Sequence, residues 1–200
     1  MNSTKKLNEL VIIKKGIVLI KDVVEVGIPK QFLSNFVKDG KFVRIAHGVY
    51  SLQDAFNDEI YIIQARSSRV IFSHDTALFL HDLTDRDPTE LVVTLPSGYN
   101  ATSLKESGIK VYFIKKELYE LGIEESKTVY GRQIIIYNKE RTICDIVRSR
   151  NNIDVSILNE GLKRYVASKN KNIPLLIRYS KEFKVENIIR KYLEVLLWKI

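Results

Sequence analysis

Apolar positions in the first fifty residues recur at helical spacing, break, and then alternate. Leu7, Leu10 and Val11 fall three and four apart after Ser3 and Thr4, which are candidate N-caps, and Gly16 offers a stop. Ile20, Val23 and Val24 line one side of a second, short helix over about 20–26. Gly27 allows a tight turn, and Pro29 suits the first turn of a third helix. That helix runs to about Asp39, with Gly40 behind it, and Phe32, Leu33, Phe36 and Val37 form its apolar stripe. Phe42-Val43-Arg44-Ile45, Ala46-His47-Gly48 and Val49-Tyr50-Ser51-Leu52 follow as a hairpin pattern, with Gly48 free to take positive φ.

The pattern resets near Gln53–Asn57, where we expect a junction. Ile60, Ile62, Ile63 and Ala65 predict a linking helix; Val70–Phe72 a strand; His74–His81 a helix. Glu90–Leu95 and Ile109–Phe113 read as further strands, and Thr128–Tyr130 is expected to pair with Gln133–Tyr137 across Gly131-Arg132. From about Lys139 the chain turns helical, with apolar stripes on Leu158, Leu162, Tyr165 and Val166, then Leu175, Leu176 and Tyr179, then Ile188 to Leu197. The expected architecture is α+β: a winged helix-turn-helix over residues 1–55, then an α+β domain over 56–200 with a helical tail from about 139.

Charge sharpens this picture. The net charge is +8 over 200 residues. Residues 1–50 hold 9 Lys/Arg against 4 Asp/Glu, residues 51–150 hold 13 against 15, and residues 151–200 hold 10 against 5. Two basic ends flank a near-neutral middle, a balance that favours a polyanion or an acidic surface as partner. No apolar run approaches the ~20 residues of a membrane span, and MNSTKKLNEL lacks a signal-peptide core. The one cysteine, Cys144, excludes an intramolecular disulfide and sits in an apolar run as a structural thiol. These features predict a cytoplasmic protein.

The third helix carries the candidate chemistry. Lys30, Ser34 and Lys38 recur every four residues with Gln31 and Asn35 beside them, so all five project opposite the apolar stripe. In a winged helix that face enters the major groove. Gln31, Ser34 and Asn35 are placed to read bases, since Asn and Gln bond adenine N6 and N7 in a bidentate way. Lys30, Lys38, Lys41 and Arg44 are placed to hold phosphates. Arg44 and His47, on the hairpin, would reach flanking phosphate or the minor groove. A solvated surface helix, or a protein-binding adaptor built on the same fold, has the same local pattern. A second basic set, Lys163, Arg164, Lys169, Lys171, Arg178, Lys181, Lys184, Arg190 and Lys191, lies between the apolar stripes of the tail. It reads either as a solvated face or as an auxiliary phosphate-contacting surface.

Other chemistry fares worse. His74 and His81 lie seven apart, without the further ligands a metal site needs; His74 or Asp75 as a helix cap is the simpler reading. Asp85-Arg86-Asp87 superficially offers the carboxylate pair of a nucleotidyltransferase. The Ser73-His74-Asp75 turn before it, however, has no glycine pair to cradle phosphate, and Pro88 puts the pair in a loop. No nucleophile triad, Walker loop or Rossmann fingerprint is present, and no cofactor or metal is expected.

Three stretches together resemble the AbiE-system (AbiEi-type) antitoxins of bacterial abortive infection, which belong to type IV toxin–antitoxin systems. They are Arg44-Ile45-Ala46-His47-Gly48-Val49-Tyr50; Phe72 to Asp85, followed by Val92-Val93-Thr94-Leu95-Pro96; and Glu140-Arg141-Thr142-Ile143-Cys144-Asp145-Ile146-Val147-Arg148. The resemblance implies a non-enzymatic protein with two roles. The winged helix would bind inverted repeats in the promoter of its own operon, two copies per operator. The second domain would counteract a cognate nucleotidyltransferase toxin without forming a stable complex. The alternative class is a nucleotidyltransferase-like enzyme using Asp85 and Asp87.

Overall fold

A computed structural model describes residues 3–197. The chain divides into two compact units. One holds the described residues up to Ser68 with Lys127–Ile134; the other holds Arg69–Ser126 and the described residues from Ile135 onward.

The first unit runs α1 (Ser3–Ile13), β1 (Ile17–Leu19), α2 (Ile20–Glu25), α3 (Gln31–Lys38), β2 (Phe42–Ala46), β3 (Val49–Leu52) and α4 (Glu59–Arg66). Its strands form an antiparallel sheet in the order β1-β3-β2, with Val18 opposite Tyr50 and Arg44 opposite Tyr50 from the other side. Alternation along the strands splits the apolar residues between two faces. Val18, Phe42 and Tyr50 join Leu7, Leu10, Val23, Leu33 and Phe36 in a helical core. Ile17, Leu19 and Val49 face the other way, onto Tyr61, Ile62 and Ala65 of α4. Packing against that second face carries the unit past the junction expected near 53–57.

The turns obey helix-stop chemistry. After α2, Gly27 N–H reaches Val24 O (2.9 Å) and Ile28 N–H reaches Val23 O (3.0 Å), with Gly27 at φ 76°. This Schellman stop seals Val23 against Ile28, both buried, and turns the chain toward α3. The same two bonds recur after α3: Gly40 N–H to Val37 O (3.1 Å) and Lys41 N–H to Phe36 O (2.9 Å). Within α2, the buried Asp22 carboxylate accepts the Leu19 N–H (3.1 Å) and pairs with Lys14 (3.0 Å).

The loop 128–132 completes the first unit. The stretch expected as a strand, Thr128–Tyr130, is instead a turn: Gly131 N–H bonds Thr128 O (2.7 Å) and Thr128 N–H bonds Arg132 O (2.9 Å). The partner strand is β7 (Ile123–Lys127), whose IEESK sequence has no apolar alternation to reveal it. Asp58, the N-cap of α4, anchors the loop. One of its oxygens accepts the Tyr61 N–H (3.1 Å), and the other accepts Thr128 Oγ1–H (2.6 Å) and Arg132 Nη1–H (2.9 Å). Arg132 also donates to the Lys15 carbonyl at 2.7 Å.

The second unit contains β4 (Ile71–Phe72), α5 (His74–Leu80), β5 (Val92–Pro96), α6 (Thr102–Glu106), β6 (Lys110–Ile114), α7 (Lys116–Tyr119), β7 as far as Ser126 and β8 (Gln133–Tyr137) from Ile135, then α8 (Lys139–Arg148), α9 (Val155–Ala167), α10 (Ile173–Glu182) and α11 (Glu186–Leu197). Its sheet has the order β6-β5-β4-β8-β7; β4 runs antiparallel to β5 and parallel to β8. The protein is thus mixed α+β, with helices from Lys139 onward as expected. At its centre is a fully buried arginine, Arg141. Nε donates to Asp145 (3.0 Å), and Nη1 donates to the carbonyls of Leu118 (2.6 Å) and Leu121 (2.7 Å). The guanidinium lies between the rings of Tyr137 (3.9 Å) and Phe183 (4.2 Å). Gly122 is required beside it, because a Cβ there would come within 2.7 Å of Arg141 Cβ. Cys144 is fully buried in the same helix, and burial raises its thiol pKa far beyond the ordinary range.

Arg132→Ala leaves Asp58 buried without its cation, so we expect a loss of about 3–5 kcal/mol in urea unfolding. The double variant Asp58→Ala/Arg132→Ala should lose less than the sum of the two single changes. Strict additivity would mean that the pair does not interact.

Candidate nucleic-acid interface

The candidate surface is built on α3. Eight residues are too few to hold a helix in water, so this one exists because Leu33 and Phe36 are buried and Phe32 and Val37 half-buried against the core. Phe36 contacts the rings of Phe32 (5.4 Å) and Phe42 (5.8 Å). Pro29 O accepts the Phe32 N–H (2.9 Å) and Lys30 O accepts the Leu33 N–H (3.2 Å); Lys30 is the N-cap, so Pro29 sits one residue ahead of the helix rather than in its first turn. With the apolar stripe fixed inward, Lys30, Gln31, Ser34, Asn35 and Lys38 are all exposed. Their side chains appear in no hydrogen bond or ion pair among the described residues.

Lys41 and the hairpin flank this face. Lys41 is exposed, with its ammonium 5.0 Å from the centre of the Phe36 ring. Arg44 and His47 are both exposed at the β2–β3 turn. Arg44 Nη2 donates to His47 Nδ1 at 3.1 Å, since a guanidinium has no acceptor to offer. Gly48 sits at φ 73°, and the register shifts between Arg44 and Ala46. The bulge at Ile45 adds local twist near the tip of the β2–β3 hairpin. All eight residues singled out in the sequence are therefore solvent-facing, on one helix and the hairpin that follows it.

The basic tail is more heterogeneous. Lys163, Lys169, Lys181, Lys184 and Lys191 are exposed. Arg164 is instead half-buried and forks onto Asp85, with Glu160 at 2.8 Å. Arg190 pairs with Glu186 (2.8 Å), Lys171 bonds Ser168 O (3.2 Å), and Arg178 lies 5.6 Å from the Tyr179 ring. A uniform outward-facing stripe is not what forms, because carboxylates one helical turn away, or in the 84–88 loop, recruit two of the arginines.

The Asp85 pairing also bears on the enzymatic alternative. Its carboxylate is engaged by a guanidinium, which lowers its pKa chiefly through that hydrogen bond, and Asp87 is exposed. No group of three His, Cys, Asp or Glu among the described residues is arranged to hold a metal ion. His74 and Asp75 do not cap α5; Ser73 occupies that position. His74 takes φ 49°, stacks on Tyr112 at 3.8 Å, and bonds Ser73 Oγ (3.0 Å) and Ser149 Oγ (3.1 Å). Burial, then the nearby Arg148, lowers its pKa from 6.5 to about 3, so it is a neutral core histidine. His81 Nε2–H donates to Tyr137 O (2.7 Å), and burial lowers its pKa as well.

Fold and surface thus define a mixed α+β protein whose first unit presents an exposed polar and basic helix face beside a β-hairpin. Residues 5–53, from within α1 to the end of β3, match the family described as "Transcriptional regulator, AbiEi antitoxin". The likeness noted from the sequence holds for that segment. No curated protein matches the chain by sequence. Among solved structures, the RV2827C protein from Mycobacterium tuberculosis is similar, with a TM-score of 0.59, 13% identity, and coverage of 90% of this chain and 71% of that one. At that identity the likeness is one of fold.

The unfolded chain protonates His74 near pH 6.5, the folded chain only near 3. Between those values the unfolded state binds the extra proton, so stability falls as pH falls through the window, by up to about 1.4 kcal/mol per pH unit. Urea midpoints at pH 7 and pH 4.5 should show that loss, and His74→Gln should flatten it.

Proposed function

We propose that the protein is a DNA-binding autorepressor and antitoxin, with residues 3–52 forming a winged helix-turn-helix. The observation that carries this reading is the exposed, unpaired set Lys30, Gln31, Ser34, Asn35 and Lys38 opposite the buried Leu33 and Phe36. The helix Gln31–Lys38 holds no carboxylate to offset Lys30 or Lys38 on that face, and the matched family is one of transcriptional regulators. Gln31, Ser34 and Asn35 read base edges in the major groove. Lys30, Lys38, Lys41, Arg44 and His47 hold phosphates on either side. Inverted repeats upstream of its own gene place two copies on each operator.

In the same reading the second unit counteracts a cognate nucleotidyltransferase toxin in the bacterial cytoplasm without a stable complex, and the protein is not an enzyme. The Arg164–Asp85 fork supports that last point, since it engages one carboxylate of the Asp85/Asp87 pair. No helix among the described residues is long and apolar enough to cross a membrane. The tail lysines are an auxiliary surface for the flanking duplex.

Fluorescence anisotropy on duplex from upstream of the gene, at several salt concentrations, tests the interface. Lys38→Ala and Arg44→Ala should weaken binding on every sequence and lower the log–log salt slope by about 0.9 each; unchanged slopes would remove them from the contact set. Asn35→Ala should instead relax base preference, at a cost of roughly 1–3 kcal/mol on the operator. Equal losses on operator and random duplex would contradict its reading role.

A further inference from the structure

A cavity of about 440 Å³ opens in the first unit, beside the end of α1. None of its lining residues belongs to α3 or to the β2–β3 turn. Lys14, Lys15, Lys127 and Arg132 line it, with Tyr61 and Gln133 among the others, and no carboxylate does. We propose that this cavity binds a small phosphate-bearing anion of the nucleotide class, its phosphates held by Lys15, Lys127 and Lys14. The inference is independent of the DNA-binding reading.

Charge accounting points to an anion. Lys14 is neutralised by Asp22 (3.0 Å) and Arg132 by Asp58 (2.9 Å). Among the described residues neither Lys15 nor Lys127 forms an ion pair, which leaves two uncompensated positive charges at the cavity, the complement of a phosphate dianion. Donors are in surplus. An ammonium has three, and Lys15 spends two on the carbonyls of Tyr130 (2.9 Å) and Gly131 (3.3 Å). Lys127 is exposed and its ammonium has no hydrogen-bond partner among the described residues. Arg132, 6% exposed, keeps a buried Nε–H with no acceptor among the described residues.

The site is also rigid. Arg132 is clamped by Asp58 and the Lys15 carbonyl and lies 5.7 Å from the rings of both Tyr61 and Tyr130. Gly131, at φ 73°, turns the loop so that its carbonyl meets the Lys15 ammonium. The volume exceeds that of a bare phosphate and falls within the ~300–1,000 Å³ of small-molecule sites. The Tyr61 ring and Ile13 add an apolar wall for the organic part of a nucleotide. Burial, then Asp22, raises the Tyr61 pKa, so the phenol stays neutral and can donate.

Calorimetric titration of the full chain at low salt with ATP, pyrophosphate and adenosine tests the assignment. ATP and pyrophosphate should bind once per chain, with dissociation constants of about 10 μM to 1 mM, and adenosine should not. Lys127→Ala should weaken ATP binding about tenfold or more, and Lys127→Arg should retain it. Lys116→Ala, a matched loss of charge on α7, should leave binding unchanged. Absence of saturable binding by ATP and pyrophosphate, or equal weakening by the Lys116 and Lys127 variants, would overturn the proposal. So would a Lys127→Ala variant that keeps ATP binding while flattening the salt dependence of duplex binding, because that result assigns the lysine to the DNA backbone.

Discussion

The burial of Leu33 and Phe36 is the contact on which the functional surface depends. Helix α3 has too few hydrogen bonds to hold itself, so its orientation is set by those side chains meeting Leu7, Leu10, Val23 and Phe42. Each contributes roughly 1.5–3 kcal/mol by leaving water. Once that stripe is inward, Gln31, Ser34, Asn35 and Lys38 have one direction left. The Schellman stops at Gly27 and Gly40 fix where the helix begins and where the hairpin departs. The candidate DNA surface is thus the remainder of a packing solution, and its polar residues are free for a partner because the apolar ones carry the fold.

Two buried arginines do structural work of a different kind. Arg141 ties α8 to the carbonyls of Leu118 and Leu121 and separates two aromatic rings. Arg132 ties the 128–132 loop to the N-cap of α4. The stretch Glu140–Val147 is accordingly buried core: Glu140 accepts from Tyr165 Oη (2.9 Å) and from the Asn172 N–H (3.0 Å).

Legibility in the sequence followed side-chain periodicity. The first three helices, the hairpin and the helical tail announce themselves because each buries one face with a clean repeat. β1 does not, since Ile17-Val18-Leu19 is a short apolar run covered on both faces and has no alternation to distinguish it. β7 does not, since an edge strand of Ile-Glu-Glu-Ser-Lys buries almost nothing. The exposure of Lys30, Gln31, Ser34, Asn35 and Lys38 was readable because they share one amphipathic helix face. The Lys15–Lys127–Arg132 cavity was not, because its residues are brought together across more than a hundred positions by a turn whose Val129-Tyr130 pair reads as strand.

The central claim is that the open face of α3 meets a duplex. Amide chemical-shift mapping of the full chain against duplex from upstream of its gene tests it most directly. The account predicts perturbations concentrated at residues 30–38 and 44–47, saturating together. Perturbations confined to the 163–191 helices, or none at low salt, would contradict it.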